Sequence, residues 1–302
     1  MDGIVTIIGI AVVLILVGIA VFYNTGARKR PMQNSKRHRE QLKLQYDTLK
    51  VRPTELVDEE HFDRLRQALD FDYLDKINDA FRKEHYDWSQ KKINTHFRGL
   101  FRFFMLASIF RSKELFDKEI HRLWEVMRQF EGEYKKFCMD FFEGEITEDA
   151  SERGERHAEE RERFEIKYLM LFQLGEQTPT IWGEFFQYGD GKEFIEYIRT
   201  HNLEQVKQEF MAENITPDAE RTFENLYNHI KWGMEADADE LRDLHPGPEG
   251  SAEDKEMDVS FLYFLSIRGE ATEEEEEELS RYTGKGSGFY ATNESFGKMQ
   301  KQ

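Results

Sequence analysis

Residues 116–142 read FDKEIHRLWEVMRQFEGEYKKFCMDFF, and this stretch decides the fold class. Ile120, Leu123, Met127, Phe130, Tyr134, Phe137 and Phe141 follow one another at alternating intervals of 3 and 4. Side chains so spaced lie one above the other on a single face of a helix. Trp124 and Cys138 widen the stripe. Such a seam can be the core face of a helical bundle or the contact face of a coiled-coil dimer. Two-stranded coils favour Ile, Val and Leu at the seam over many heptads. An aromatic seam of about three heptads therefore points to the bundle.

The segment just upstream, FRGLFRFFMLASIF at 97–110, is apolar almost all round and reads as the buried central helix of that bundle. It is too short to cross a bilayer, which needs about 20 apolar residues. Each of its large side chains, once buried, contributes about 1.5–3 kcal/mol. Downstream, TEDASERGERHAEERER at 147–163 contains no Ile or Leu and reads as a solvated helix or loop. Within it Glu159 and Arg163 form an i,i+4 pair worth only a few tenths of a kcal/mol. From Phe164 the character changes to FEIKYLMLFQL, a face that should dock onto the core.

The same reading extends outward to an all-α body over residues 54–235. Helices are expected near 58–69, 72–90, 91–110, 114–143, 150–175, 178–187, 191–213 and 217–235. Thr178-Pro179 and Thr216-Pro217 each read as a helix N-cap followed by proline at the first helical position. Glu59, Glu60 and His61 fall at a helix start, where acids favour the macrodipole. No run alternates as a half-buried strand does. Beyond 235 the composition becomes acidic and rich in Pro and Gly, so 236–302 reads as a linker and flexible tail. One apolar element, VSFLYFLSI at 259–267, could pack back on the body, and the run Glu273 to Glu278 should be exposed.

The helix carrying the seam resembles the core motif of the glycine-rich-domain-containing-like family. The likeness lies in EIHRLWEVMRQFEGEYKKFCMDFFEGEI at 119–146, through Ile120, Trp124, Tyr134, Phe137, Cys138, Phe142 and Gly144. With the preceding apolar helix it covers residues 97–148. His121, Glu125, Thr147 and Glu148 stand where that motif has Asp, His and a His-His pair. The resemblance implies a helical domain and assigns no activity.

The N-terminal side carries a different signal. Ile4 to Phe22, IVTIIGIAVVLILVGIAVF, is 19 residues without a charge. As a helix it spans roughly 28 Å, close to the ~30 Å hydrocarbon core, so 1–23 reads as a transmembrane anchor. A cleaved signal peptide would want a basic start and a shorter apolar core, and Met1, Asp2 and Gly3 provide no basic residue. Arg28, Lys29, Arg30, Lys36, Arg37, Arg39 and Lys43 follow within a tether at 24–53. By the positive-inside rule this single-pass arrangement puts the N-terminus outside and the body in the cytoplasm.

The charge is divided between the two parts. The whole chain has 302 residues, 42 Lys and Arg, 60 Asp and Glu, and a net charge of −18. Residues 24–43 carry +6 and the remainder beyond them −23. The collar can therefore meet anionic membrane lipid at about 1 kcal/mol per cation, whereas the acidic body disfavours nucleic acid. One cysteine excludes an internal disulfide and agrees with a reducing compartment.

Tests for chemistry find no catalytic or cofactor signature. The sequence lacks HExxH, CxxC and GxSxG, and GKGSG at 284–288 lacks the frame of a phosphate loop. His121 and Glu125 stand i,i+4 on one helix and could share a metal if a third ligand such as His157 came to them. An ordinary surface pair is the simpler reading. Expectation therefore settles on a membrane-anchored helical interaction or scaffold protein with a protein partner. The alternatives are an enzyme or metal site dispersed around Trp124, and an anchored coiled-coil oligomer.

Overall fold

Residue 51 and residues 53–146, 155–244 and 256–284 are those this computed structural model describes, and helix follows helix through them. The helices are α1 (Glu59–Ala68), α2 (Phe71–Glu84), α3 (Gln90–Ile109), α4 (Lys118–Arg128), α5 (Glu131–Phe142), α6 (Glu155–Leu171) and α7 (Thr178–Trp182). They continue as α8 (Lys192–Thr200), α9 (Leu203–Phe210), α10 (Pro217–Glu235), α11 (Ala238–Asp243), α12 (Ser260–Arg268) and α13 (Glu273–Thr283). One small antiparallel ribbon joins β1 (Leu174–Gly175) to β2 (Glu256–Met257), with Leu174 opposite Met257. The anchor segment 1–23 and most of the tether lie outside the described residues. Among the described residues no helix is long and apolar enough to cross a membrane.

α3 is the central helix. Ser89 caps it by accepting the Lys92 N–H at 3.2 Å, and from Gly99 to Ile109 every residue is buried. It ends at Phe110, which turns extended and bridges to Met211. α4 lies close against it because Gly99 has no side chain: a Cβ there would stand 2.6 Å from Ile120 Cδ1. A glycine inside a helix costs about 1 kcal/mol relative to alanine, and here it permits that approach. Trp124 then packs on Phe103 and Phe104 with ring centroids 5.5 and 5.8 Å away. Phe137 reaches Phe104 at 5.0 Å.

The predicted single helix over 114–143 is two helices, α4 and α5, broken at Gln129–Phe130. The seam survives the break. Ile120, Leu123, Trp124, Met127, Phe137, Cys138 and Phe141 are buried, while Phe130 and Tyr134 are partly covered. The chain's own helices cover this face, α2 and α3 its α4 half and α1 its α5 half.

The C-terminal boundary needs correction. Helices α11, α12 and α13 belong to the same compact unit as the body, so the domain does not end at 235. The reason is physical. Leu262 to Ile267 are all buried, and Gly233 of α10 leaves room for Phe264, whose ring would meet a Cβ at 2.2 Å. Arg268 closes the joint by donating to the Gly233 and Ala236 carbonyls at 3.0 and 2.7 Å, a cation at the negative end of α10. The glutamate run forms the exposed side of α13, capped by Thr272 and Glu275, while Leu279 and Tyr282 face inward. Residues 285–302 lie outside the description.

The charged run at 147–163 also differs from expectation in its described part. Arg161 is buried, donates to Glu165 at 2.5 Å and to the Trp182 carbonyl at 2.7 Å, and stacks near Phe116, Phe164 and Phe185. A planar, weakly hydrated guanidinium can be buried in this way when its partners are all present. Thr216 stands at the N-cap position of α10 as predicted, with Pro217 following it and no side-chain capping bond, whereas Thr178 is the first residue of α7 and Gln177 precedes it at the cap.

Candidate functional site

The residues singled out from sequence do not assemble into a reactive centre. Trp124 is 1% exposed and gives its indole N–H to the Tyr134 hydroxyl at 2.9 Å, so its ring is core. His121 Nδ1 lies 3.9 Å from Glu125 Oε1, but Glu125 also accepts from Arg122 at 2.6 Å. Arg122 in turn makes two bonds to Glu84, at 2.7 and 2.8 Å, and these partners hold the Glu125 carboxyl below its ordinary range. His157 faces Glu114 at 3.7 Å. Among the described residues no three His, Cys, Asp or Glu side chains converge to hold a metal. Burial raises the Cys138 thiol, which favours the unreactive form.

Sequence reasoning missed His61. It is fully buried where α1, α3 and α10 meet. Nε2 stands 2.8 Å from Ser108 Oγ, and Ser108 itself donates to the Met105 carbonyl at 2.7 Å. The ring proton is therefore on Nε2, deduced from the network. Nδ1 faces Thr222 Oγ1 at 3.2 Å, and that hydroxyl accepts the Asp58 N–H at 3.1 Å and shares its one proton between Nδ1 and the Asp218 carbonyl, also 3.2 Å away. Burial holds the imidazole down at about 4, so the ring is neutral. Both ring nitrogens face hydroxyls from other helices, which makes this network a tie between three helices.

Among the described residues, two surface depressions are rich in acids. The larger, about 650 Å³, is lined by Glu59, Glu60, Asp63, Arg64, Gln67, Ala68 and Asp140. Its charges are largely matched. Arg64 binds Asp218 through two bonds of 3.0 and 2.7 Å, Arg221 binds Glu60 and Asp58, and Asp63 pairs with Arg66 at 3.0 Å.

The smaller cleft, about 230 Å³, lies between α6, α8 and α9. Phe194, Tyr197 and Phe210 form its floor, with Phe210 at 5.1 and 5.3 Å edge-on to the other two rings. Phe194 is buried, whereas Tyr197 and Phe210 are partly open. The helical pattern places them: Phe194 and Tyr197 are three apart on α8, and Phe210 closes α9. Around them stand Glu159, Glu162, Arg163, Glu193 and Glu209. Arg163 is already matched, to Glu160 at 2.9 Å and Glu159 at 3.4 Å. Glu162, Glu193 and Glu209 make no hydrogen bond or ion pair among the described residues. Burial and the neighbouring charges of Asp190, Glu193 and Glu159 push the Glu162 carboxyl above its ordinary range. Gly189 leaves the space in which that carboxylate sits, since a Cβ there would lie 2.2 Å from Glu162 Oε1.

Beneath the floor Lys167 is 5% exposed, its Nζ 4.5 Å from the Phe110 ring centroid and 5.8 Å from that of Phe194. Burial lowers its amine to about 8. The arrangement as a whole is an aromatic-floored, negatively charged cleft. It can hold a cation and has no nucleophile or general base poised on a reacting atom. No protein family, no curated protein and no solved structure matches this chain.

Proposed function

We propose that this chain is a single-pass membrane protein whose helical, acidic body acts as an interaction module, binding a protein partner on the cytoplasmic side. The observation that carries the reading is the 19-residue uncharged stretch from Ile4 to Phe22 followed at once by seven Lys and Arg. The body supports it in two ways. Many of its buried polar side chains hold helices together, and its surface includes an open cleft where unpaired acids surround aromatic rings. The likeness of residues 97–148 to the glycine-rich-domain-containing-like family rests on aromatic positions. It supports a shared way of packing helices and supplies no site.

The test is topology in intact cells. The full chain with Cys138→Ser and Ser287→Cys carries one thiol, in the C-terminal tail, and is treated with a membrane-impermeant thiol reagent. The expected result is membrane-bound protein that labels only after permeabilisation. Labelling of intact cells would reverse the orientation. Protein found free of the membrane would remove the anchor.

A further inference from the structure

Among the acid-rich surfaces of this molecule the α6–α8–α9 cleft stands apart, because its acids are arranged at a cost. Glu162 is half-buried beside Glu193 and Asp190, and the one cation near it, Arg163, is bonded to Glu159 and Glu160 instead, so burial and like charge outweigh its attraction. Glu209 lies in the last turn of α9, the negative end of the helix, where a carboxylate is destabilising. Only Glu193, in the first turn of α8, has a local reason to be acidic. Solubility does not require acids at these positions, since α13 already presents a run of exposed glutamates.

The floor adds a second, independent preference. Tyr197, stacked on His201 on one face, and Phe210 are each partly exposed, and an aromatic face attracts a cation within about 6 Å. The cleft already displays that preference internally: the Arg163 guanidinium lies 5.7 Å from the Phe210 ring centroid. The size selects further. A cleft of about 230 Å³ is below the ~300–1,000 Å³ of typical small-molecule sites. It has room for one long side chain whose methylenes lie on the rings while its charged head reaches the carboxylates.

We propose that this cleft is the docking site for a lysine- or arginine-bearing peptide segment of a protein partner, with Glu162, Glu193 and Glu209 receiving the cation and Tyr197 and Phe210 its stem. This rests on the reading of the body as an interaction module. The partner contributes a basic, extended segment, and the body's net negative charge draws it in at long range.

The experiment uses the full chain in zwitterionic nanodiscs and a fluorescein-labelled glycine peptide bearing spaced lysines, followed by anisotropy at about 0.15 M salt. The triple variant Glu162→Gln, Glu193→Gln, Glu209→Gln should weaken binding by about tenfold or more. The control triple Glu273→Gln, Glu274→Gln, Glu278→Gln changes the net charge equally and should weaken it less than about twofold, because it leaves every charge of the cleft in place and salt screens the charges outside it. Tyr197→Leu, which leaves every charge in place, should weaken binding by about two- to fivefold. Unfolding midpoints of all variants verify the fold. Equal weakening by both triples, or a wild-type chain that does not bind the peptide, would overturn the proposal. Binding is measured on purified protein and orientation in cells. A body found outside the cell therefore refutes the cytoplasmic reading alone, whereas a correctly oriented chain that ignores the peptide refutes the docking site alone.

Discussion

The groove beside α1 and the cleft between α6, α8 and α9 are both acidic, yet they treat charge in opposite ways. At the groove Arg64 grips Asp218 at 3.0 and 2.7 Å, and Arg221 spans Asp58 and Glu60. Those pairs tie α1 to α10, so removing a partner should loosen the fold. At the cleft Glu162, Glu193 and Glu209 hold nothing together. Such carboxylates are free to meet a cation from outside the fold, which is what the proposed docking requires. The difference teaches that acidity has two uses in this protein: paired carboxylates tie helices together, and the cleft combines unpaired ones with an aromatic floor.

The largest expected effect lies on the paired side of that comparison. Arg102 is buried, donates to the Val51 carbonyl at 2.9 Å and to the Tyr168 hydroxyl at 3.0 Å, and faces Glu256 at 3.6 Å. Arg102→Met should cost about 3–5 kcal/mol in urea unfolding, because it leaves the buried Val51 carbonyl and Tyr168 hydroxyl without their donor, while Glu256 keeps Arg98 as its cation. A loss below about 1 kcal/mol would mean that the network is not what holds Val51 and β2 to α3.

His61 is the next test, read through pH. Its folded value of about 4 lies below the unfolded value of 6.5. Between those limits the unfolded chain binds a proton that the folded chain refuses. Stability contributed by this site is therefore complete above pH 6.5 and falls as the pH drops toward 4, by about 3 kcal/mol in all. His61→Gln should remove one proton's worth of slope from unfolding free energy over that window. An unchanged slope would place the proton elsewhere.

Lys167 sharpens the comparison from the side of the cations. It is a buried amine with rings beside it and no carboxylate bonded to it. Replacing a buried charge by an apolar chain of similar volume is often stabilising, so Lys167→Met should raise stability by about 1–3 kcal/mol. Destabilisation would show that the amine has a partner that the rings alone do not explain.

How much of this could be read from the residues depends on the kind of information involved. The seam at Ile120 to Phe141 and the apolar stretch at 97–110 were legible because helical burial writes a period of 3.6 into the sequence. Thr216-Pro217 marked the start of α10 for the same local reason. The fate of VSFLYFLSI was visible only as a possibility, since what receives it is Gly233, some 30 residues away and silent in any periodicity. Arg161, Glu165 and His61 escaped because a charged or titratable residue looks exposed until its buried partners are known. For Arg161 and Glu165 a signal existed: an i,i+4 pair that straddles the change from the charged run to the apolar face. His61 had none, because Ser108 and Thr222 come from distant helices. The cleft was illegible for a further reason. Its acids are unremarkable among 60, and only their surroundings show which lack partners.

The most direct test of the claim that the two acidic regions serve different ends is urea unfolding of Asp218→Asn and Glu162→Gln side by side at pH 7. Asp218→Asn should destabilise by about 1–3 kcal/mol, through loss of its charged hydrogen bonds to Arg64. Glu162→Gln should be neutral or stabilising by up to about 0.5 kcal/mol, since it relieves like-charge repulsion. Opposite signs, or a loss confined to Asp218→Asn, is the predicted result. A comparable loss in both would contradict it, and would make the cleft one more set of charges that the fold requires.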